Sequence, residues 1–163
     1  MWESVGGSKV ELFFSTYTNK VDRKGRVSVP ATFRSTLATH RHPNVVILFP
    51  SLKDAALNGG GSDYMEDLHN RLSMLDPLSD EYDALSMMFA DSHQLPIDGE
   101  GRIILPETLK EFAQITDEAA FVGRGAMFQV WQPALFATHR EASRERSRRQ
   151  RPVLPPPGGG RPS

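Results

Sequence analysis

The chain contains no cysteine. A disulfide framework, a thiolate zinc site and a thiol nucleophile are therefore excluded, and much enzyme chemistry goes with them. No run reaches the roughly eighteen apolar residues that a membrane-crossing helix needs, and no basic-then-apolar leader opens the chain. A cytoplasmic protein without membrane association is expected. A phosphate-cradling loop of the G-x-x-x-x-G-K-[ST] type is absent. The histidines His40, His42, His69, His93 and His139 are scattered; only the first two are close, and no third ligand stands beside them, so no metal is expected. Asp98 and Glu100 resemble paired carboxylates, but flanking glycines place them on a turn. Neither a cofactor nor catalysis is expected. Positive charge is also lacking overall: a net charge of −1 gives no general field that would attract nucleic acid.

The average conceals a pattern. Between Ser15 and Arg41 the bases Lys20, Arg23, Lys24, Arg26, Arg34 and Arg41 face one acid, Asp22. From Asp54 to Asp91 the balance reverses, with Asp63, Glu66, Asp67, Asp76, Asp80, Glu81 and Asp83 against Arg71 alone. Arg140–Arg151 is arginine-rich again. With 163 residues, 39% of them hydrophobic, the chain can form one compact domain, or two small units sharing a core, with a tail to spare.

The strongest signal is an internal repeat. Val21-Asp22-Arg23-Lys24-Gly25-Arg26-Val27-Ser28-Val29-Pro30 aligns without a gap on Ile97-Asp98-Gly99-Glu100-Gly101-Arg102-Ile103-Ile104-Leu105-Pro106. Asp22, Gly25, Arg26 and Pro30 recur as Asp98, Gly101, Arg102 and Pro106, with the apolar positions between them and with Thr32/Thr108 and Phe33/Leu109 beyond. In each copy an apolar stretch reaches a glycine turn and a short aliphatic strand follows, so the motif is expected on a hairpin. Proline stops the strand and opens a short helix, Ala31–Leu37 and Glu107–Phe112. A further extended segment follows each helix: Val45–Phe49, and Phe121–Trp131 with a turn at Gly123-Arg124-Gly125.

Between the copies lies an acidic helical connector. Gly59-Gly60-Gly61 breaks the chain and Ser62 is expected as the N-cap of a helix with Met65, Leu68, Leu72 and Leu75 on one face. Pro77 ends it, and Ser79 caps a second helix striped by Tyr82, Leu85 and Phe89. Both stripes are expected to pack on the barrel or on each other rather than to form a cofactor site. Pro133 opens a last helix through Leu135 and Phe136 into the arginine-rich stretch, and the Pro155–Pro157 and Gly158–Gly160 runs are expected to be disordered. The division expected is a 1–14 extension, a first repeat at 15–53, the connector at 54–90, a second repeat at 91–134, and a helix and tail at 135–163.

Two D-x-x-x-R turns with their prolines, separated by an acidic connector, resemble the MraZ family of bacterial regulators, which carries two AbrB-like units in each chain. Asp91-Ser92-His93-Gln94-Leu95-Pro96, Phe121-Val122-Gly123 and Phe128-Gln129-Val130-Trp131 share the resemblance, which spans about Ser15 to Glu141. It implies an α+β fold in which the two copies interlock as a pseudo-symmetric swapped-hairpin barrel. It also implies a ring-shaped homo-oligomer on double-stranded DNA, binding G-rich direct repeats upstream of the division and cell-wall operon. The chain would then be a nucleoid-associated transcriptional regulator, acting as a repressor.

The two turns differ in chemistry. The first offers Arg23, Lys24 and Arg26 behind Lys20; the second offers Gly99, Glu100 and Arg102. Only the first can hold a phosphate backbone, and Gly25 lets it come close. A two-stranded element fits the major groove, where Arg or Lys donates to guanine O6 and N7. Arg26 and Lys24 are therefore candidates for base or phosphate contact, with Arg23, Lys20 and Arg34 as supporting phosphate contacts. An internal ion pair that fixes each hairpin is the competing reading. It is preferred for Asp22, Asp98 and Arg102 and stands level with DNA contact for Arg26. Glu141 and Glu145, interleaved in the Arg140–Arg151 block, suit a solvated helix with local ion pairs. The alternative to a DNA regulator is an AbrB-like antitoxin or protein-interaction module, although such antitoxins carry one hairpin unit per chain.

Overall fold

A computed structural model of the chain describes residues 11–158. Residues 1–10 of the expected 1–14 extension lie outside the described residues, as does the end of the Gly158–Gly160 run. The chain divides into two compact units, meeting at Pro133 and Ala134. The first holds β1 (Thr16–Lys20), β2 (Arg26–Ser28), α1 (Ala31–Leu37), β3 (Val45–Pro50), β4 (Leu57–Gly60), α2 (Ser62–Leu72) and α3 (Asp80–Ala90). After these come β5 (His93–Pro96), β6 (Arg102–Ile104), α4 (Glu107–Ala113), β7 (Glu118–Gly123) and β8 (Phe128–Trp131). The second unit begins at Ala134 and holds the rest of α5 (Pro133–Gln150) and the segment after it. The class is α+β, as expected.

The two short helices fall where the repeat puts them. Pro30 and Pro106 sit at their N-caps with φ of −51° and −59°, the value the pyrrolidine ring imposes, and neither cap uses a side chain. Ser79 caps α3 by accepting a hydrogen bond from the Tyr82 N–H at 3.1 Å. Ser62 does not cap α2. The cap is Gly61, in extended conformation, and Ser62 is the first helical residue, its Oγ accepting from the His42 N–H at 3.2 Å. His40 packs on Gly61, where a Cβ would lie 2.2 Å from its Nδ1, and that nitrogen accepts from the Asp63 N–H at 3.4 Å. Gly59 and Gly60 do not break the chain either; they belong to strand β4. Glycine is required there because a Cβ on Gly59 would meet Leu48 Cδ2 at 2.6 Å and the Phe128 ring at 2.8 Å.

Strand pairing runs between the repeats. The main sheet has the order β1-β7-β8-β4-β3-β5, and β2 and β6 form a separate two-stranded ribbon. β1 of the first copy pairs with β7, and β5 of the second copy pairs with β3, all antiparallel. β3 with β4 and β7 with β8 are adjacent hairpins, joined through β4 and β8. Exchanging β1 for β5, β2 for β6, β3 for β7 and β4 for β8 returns the same set of pairs. The within-copy hairpin expected at each motif is thus reduced: β1 and β2 meet at a single Val21–Val27 bridge, and the longer ladder of β2 is with β6.

The core follows from this exchange. Val21, Val27, Val29, Phe33 and Leu37 of one copy are buried with Ile103, Leu105, Leu109 and Ala113 of the other in one cluster. Phe33 stands edge-on to Phe13 and Phe121, with ring centroids 5.2 and 6.2 Å away, and tilted against Phe128 at 5.1 Å. Phe13 is 1% exposed, so the segment set apart as a 1–14 extension reaches the middle of the core; its N–H donates to the Gly125 carbonyl at 2.7 Å. A smaller cluster of Ile47, Phe49 and Met65, with Leu68, Met88 and Phe89 packed on it, holds α2 and α3 to the other face of β3. Leu72 of the expected stripe is buried; Leu75, Tyr82 and Leu85 are half-buried.

Candidate nucleic-acid interface

Each turn is built around one aspartate. Asp22 Oδ1 accepts hydrogen bonds from the N–H groups of Lys24 and Arg26, both at 2.9 Å, and Oδ2 accepts from Arg26 Nε at 2.6 Å. The backbone closes the turn through Asp22 N–H to the Arg26 carbonyl and Gly25 N–H to the Asp22 carbonyl, each at 3.0 Å. These bonds favour the ionised carboxylate. Those from the Arg26 N–H, then the Arg26 side chain and the Lys24 N–H, hold the Asp22 pKa below its ordinary value, although desolvation opposes them.

The second turn repeats this atom for atom. Asp98 Oδ1 accepts from the N–H groups of Glu100 at 2.8 Å and Arg102 at 3.0 Å, and Oδ2 accepts from Arg102 Nε at 3.2 Å. The Asp98 pKa is lowered by the Arg102 and Glu100 N–H groups and the Arg102 side chain, again against desolvation. Each glycine is also clamped to the other repeat: Leu105 N–H donates to the Gly25 carbonyl at 2.8 Å, and Val29 N–H donates to the Gly101 carbonyl at 2.9 Å. Gly25 and Gly101 have φ of +85° and +80°, which glycine adopts without strain. The ribbon register, Arg26 opposite Ile104 and Ser28 opposite Arg102, puts the turns at its opposite ends.

On these matching frames the side chains diverge. Asp22, Arg23, Lys24 and Arg26 sum to +2, whereas Asp98, Glu100 and Arg102 sum to −1. Lys20, Arg23 and Lys24 are exposed, and no ion pair to any of them occurs among the described residues. Arg26 is half-buried against Asp22, which takes its Nε edge. In the second turn Arg102 is held by Asp98 at 3.2 Å and approached by Glu100 at 3.5 Å. Both structural ion pairs anticipated for the motif are therefore present.

Lys20 ends β1 and Arg23, Lys24 and Arg26 stand on the turn that follows it; Arg34 does not share that turn. From α1 its Nε donates to the Val29 carbonyl at 3.1 Å, and its guanidinium lies against Gly101, where a Cβ would be 2.8 Å from Cζ. It sits at the far end of the ribbon because α1 of one copy packs beside the turn of the other. Sequence reading also passed over Asn19, whose Nδ2 donates to the Ser28 carbonyl at 2.8 Å and ties β1 to β2 behind the basic turn. The signal was available, since the repeat places apolar Leu95 opposite Asn19.

In the second unit, Glu145 pairs with Arg148 at 2.8 Å and Arg149 at 3.9 Å, the local pattern of a solvated helix. No cluster of three or more metal-ligating side chains occurs among the described residues, and no described helix is long and apolar enough to cross a membrane.

Residues 88–152 match a family model described as "MraZ protein, putative antitoxin-like". Relatives that carry the name transcriptional regulator MraZ match most of the chain, and three of them illustrate the range. That of Rickettsia akari (strain Hartford) is 40% identical over 146 residues, 89% of this chain and 97% of the relative. That of Rickettsia typhi (strain Wilmington) is 43% identical over 128 residues, 78% of this chain and 85% of the relative. That of Methylocella silvestris is 44% identical over 137 residues, 83% of each chain.

Proposed function

Because the chain belongs to the MraZ family, which comprises transcriptional regulators and not enzymes, we propose that it regulates transcription by sequence-specific binding of double-stranded DNA through its first turn. One observation carries this reading: two turns with the same hydrogen-bonded frame differ in exposed charge, and the basic set stands on only one of them. A structural role accounts for Asp22, Gly25, Asp98, Gly101 and Arg102, which the frame itself uses. It does not account for Arg23 and Lys24, whose side chains the frame leaves unused and whose counterparts are Gly99 and Glu100.

In this reading Lys24 and Arg26 contact bases or phosphates, and Arg23 and Lys20 hold the backbone on either side. Asp22 takes the Nε edge of Arg26 and leaves its terminal nitrogens to form a fork toward guanine O6 and N7. Arg34, placed at the other end of the ribbon, is withdrawn from the phosphate set. Pro30 and Pro106 set the helices that brace the ribbon. The exchanged pairing supports an AbrB-like swapped-hairpin barrel made within one chain, with repeats at 15–53 and 91–134.

One small loop gives little affinity. A homo-oligomeric ring presents the same turn many times, and once one is engaged the rest act at high effective concentration on repeats spaced about one helical turn, ~10 bp, apart. The target proposed is a set of G-rich direct repeats in the chain's own promoter, ahead of the division and cell-wall operon. Occlusion there makes the regulator a repressor, cytoplasmic and associated with the nucleoid. The test is titration of the protein onto a labelled promoter fragment and a scrambled one, with wild type and a Lys24→Ala plus Arg26→Ala variant, at two salt concentrations. Repeat-dependent binding lost in a variant that still folds and assembles is the expected result. Binding that survives both substitutions would move the interface to Arg140–Arg151 or, with a copurifying small protein, to an antitoxin-like role.

A further inference from the structure

We propose that the second turn, through Glu100, is a DNA-repelling counterpart of the first that fixes which way each subunit lies on the duplex. This rests on the DNA-reading role of the first turn. The exchange of strands gives the β2–β6 ribbon two equivalent ends, each carrying a turn with the same frame and a glycine clamped to the opposite strand. If both ends were basic, a subunit could meet the backbone in two orientations related by that exchange. Direct repeats have a direction, and a reader with two interchangeable faces cannot distinguish them from inverted ones. Specificity then needs a repulsive element against the wrong arrangement as well as an attractive one for the right arrangement.

The second turn has the required chemistry. The Glu100 side chain is 75% exposed, while its partner Arg102 is 30% exposed and already holds Asp98. With Arg34 lying against Gly101 counted as well, this end carries no net positive charge. A phosphate brought to this turn would come within about a Debye length, ~8 Å, of the Glu100 carboxylate, so the repulsion is not screened away. Nothing in the frame demands these two residues. Of Glu100 the frame uses only the N–H, and a Cβ on Gly99 would meet no atom within 4 Å. Gly99 also lacks the positive φ that Gly101 requires. The position is open to a basic side chain and does not carry one.

The test uses the full chain in three forms: wild type, Gly99→Arg plus Glu100→Lys, and Glu100→Gln, which removes the charge with little change of shape. Each is titrated onto two duplexes of equal composition, one with direct repeats and one with alternate repeats inverted, over a range of salt. The double variant is expected to bind random duplex more tightly, with a salt slope steeper by about 2 for each subunit engaged, from two new phosphate contacts. Its preference for direct over inverted repeats is expected to fall at least about fivefold, with Glu100→Gln lying between it and wild type. Wild-type affinity, slope and preference in both variants, with unchanged thermal melting, would overturn the proposal. Failure of wild type itself to bind either duplex would overturn the first-turn reading, and this proposal with it, and is distinguishable from the preceding outcome.

Discussion

Arg26 donates its Nε–H to Asp22 Oδ2 over 2.6 Å while its own N–H donates to Oδ1 of the same carboxylate at 2.9 Å. The arginine at the mouth of the basic turn is thereby aimed before any ligand arrives. Arg26→Lys keeps the charge and loses the fork, because an ammonium is a point charge without a guanidinium's fixed plane. Arg26→Lys should retain most non-specific DNA affinity and lose about ten- to a hundredfold in discrimination between the repeat and a scrambled site. Lys24→Ala should do the converse, weakening binding to both sequences and lowering the salt slope by about 1 for each subunit engaged on the DNA. Fluorescence anisotropy on the two duplexes separates the two patterns.

Acid should open the turns, and neutral pH should not. Both aspartates titrate below their ordinary value of 3.8 because native hydrogen bonds favour the charged form. A depressed folded-state pKa contributes stability in full above the unfolded value, and that contribution fades as pH falls through the folded value. The amide resonances of Lys24, Arg26 and Arg102 should therefore be flat across the neutral range and move only below about 3.8. Asp22→Asn should abolish that movement at Lys24 and Arg26 and leave it at Arg102.

Three glycines with positive φ should respond differently to alanine. Gly125 has φ +86° and open space around a Cβ, so Gly125→Ala meets only the conformational cost, about 1 kcal/mol. At Gly101 a Cβ would press on the Arg34 guanidinium, the movable end of a long side chain. At Gly25 it would lie 2.8 Å from the Leu105 carbonyl oxygen, which is backbone and is fixed by the Leu105 N–H bond to Gly25 itself. Gly25→Ala should be the most destabilising of the three by urea denaturation, by about 3 kcal/mol or more.

Phe13 is the first core residue among the described residues. Its ring stands edge-on to Phe33 and Phe128 at 5.2 and 5.0 Å, so Phe13→Ala should cost about 3–5 kcal/mol. Neighbouring Phe14, 67% exposed, should tolerate Phe14→Ala with a change under about 0.5 kcal/mol. Chemical denaturation of the two variants checks the contrast.

These cases show what was legible in the sequence. α1 and α4 could be read directly because a proline fixes where each begins, and the α3 cap because Ser79 offers an oxygen to its third neighbour. The charge difference between the turns was plain because the repeat aligns without a gap. β4 was misread because Gly59 and Gly60 lower strand propensity, and their reason for being glycine is the Leu48 and Phe128 side chains, distant in sequence. The position of Arg34 was not legible for a related reason. Its neighbours in sequence are those of the first turn, but pairing of β2 with β6 carries it to the second. Local pattern identifies elements; which element meets which is settled by burial of faces that no single segment displays.

In the proposed mode of binding the first turn, and not its twin, meets DNA. This is tested most directly by following the backbone amide resonances of the intact protein while a duplex carrying the G-rich repeats is added. Shifts and broadening confined to Lys20–Arg26 and the ribbon beside it, with Gly99–Arg102 and Arg140–Arg151 unmoved, are the predicted result. Perturbation centred on Gly99–Arg102 or on the arginine-rich helix, with Arg23 and Lys24 unaffected, would contradict it.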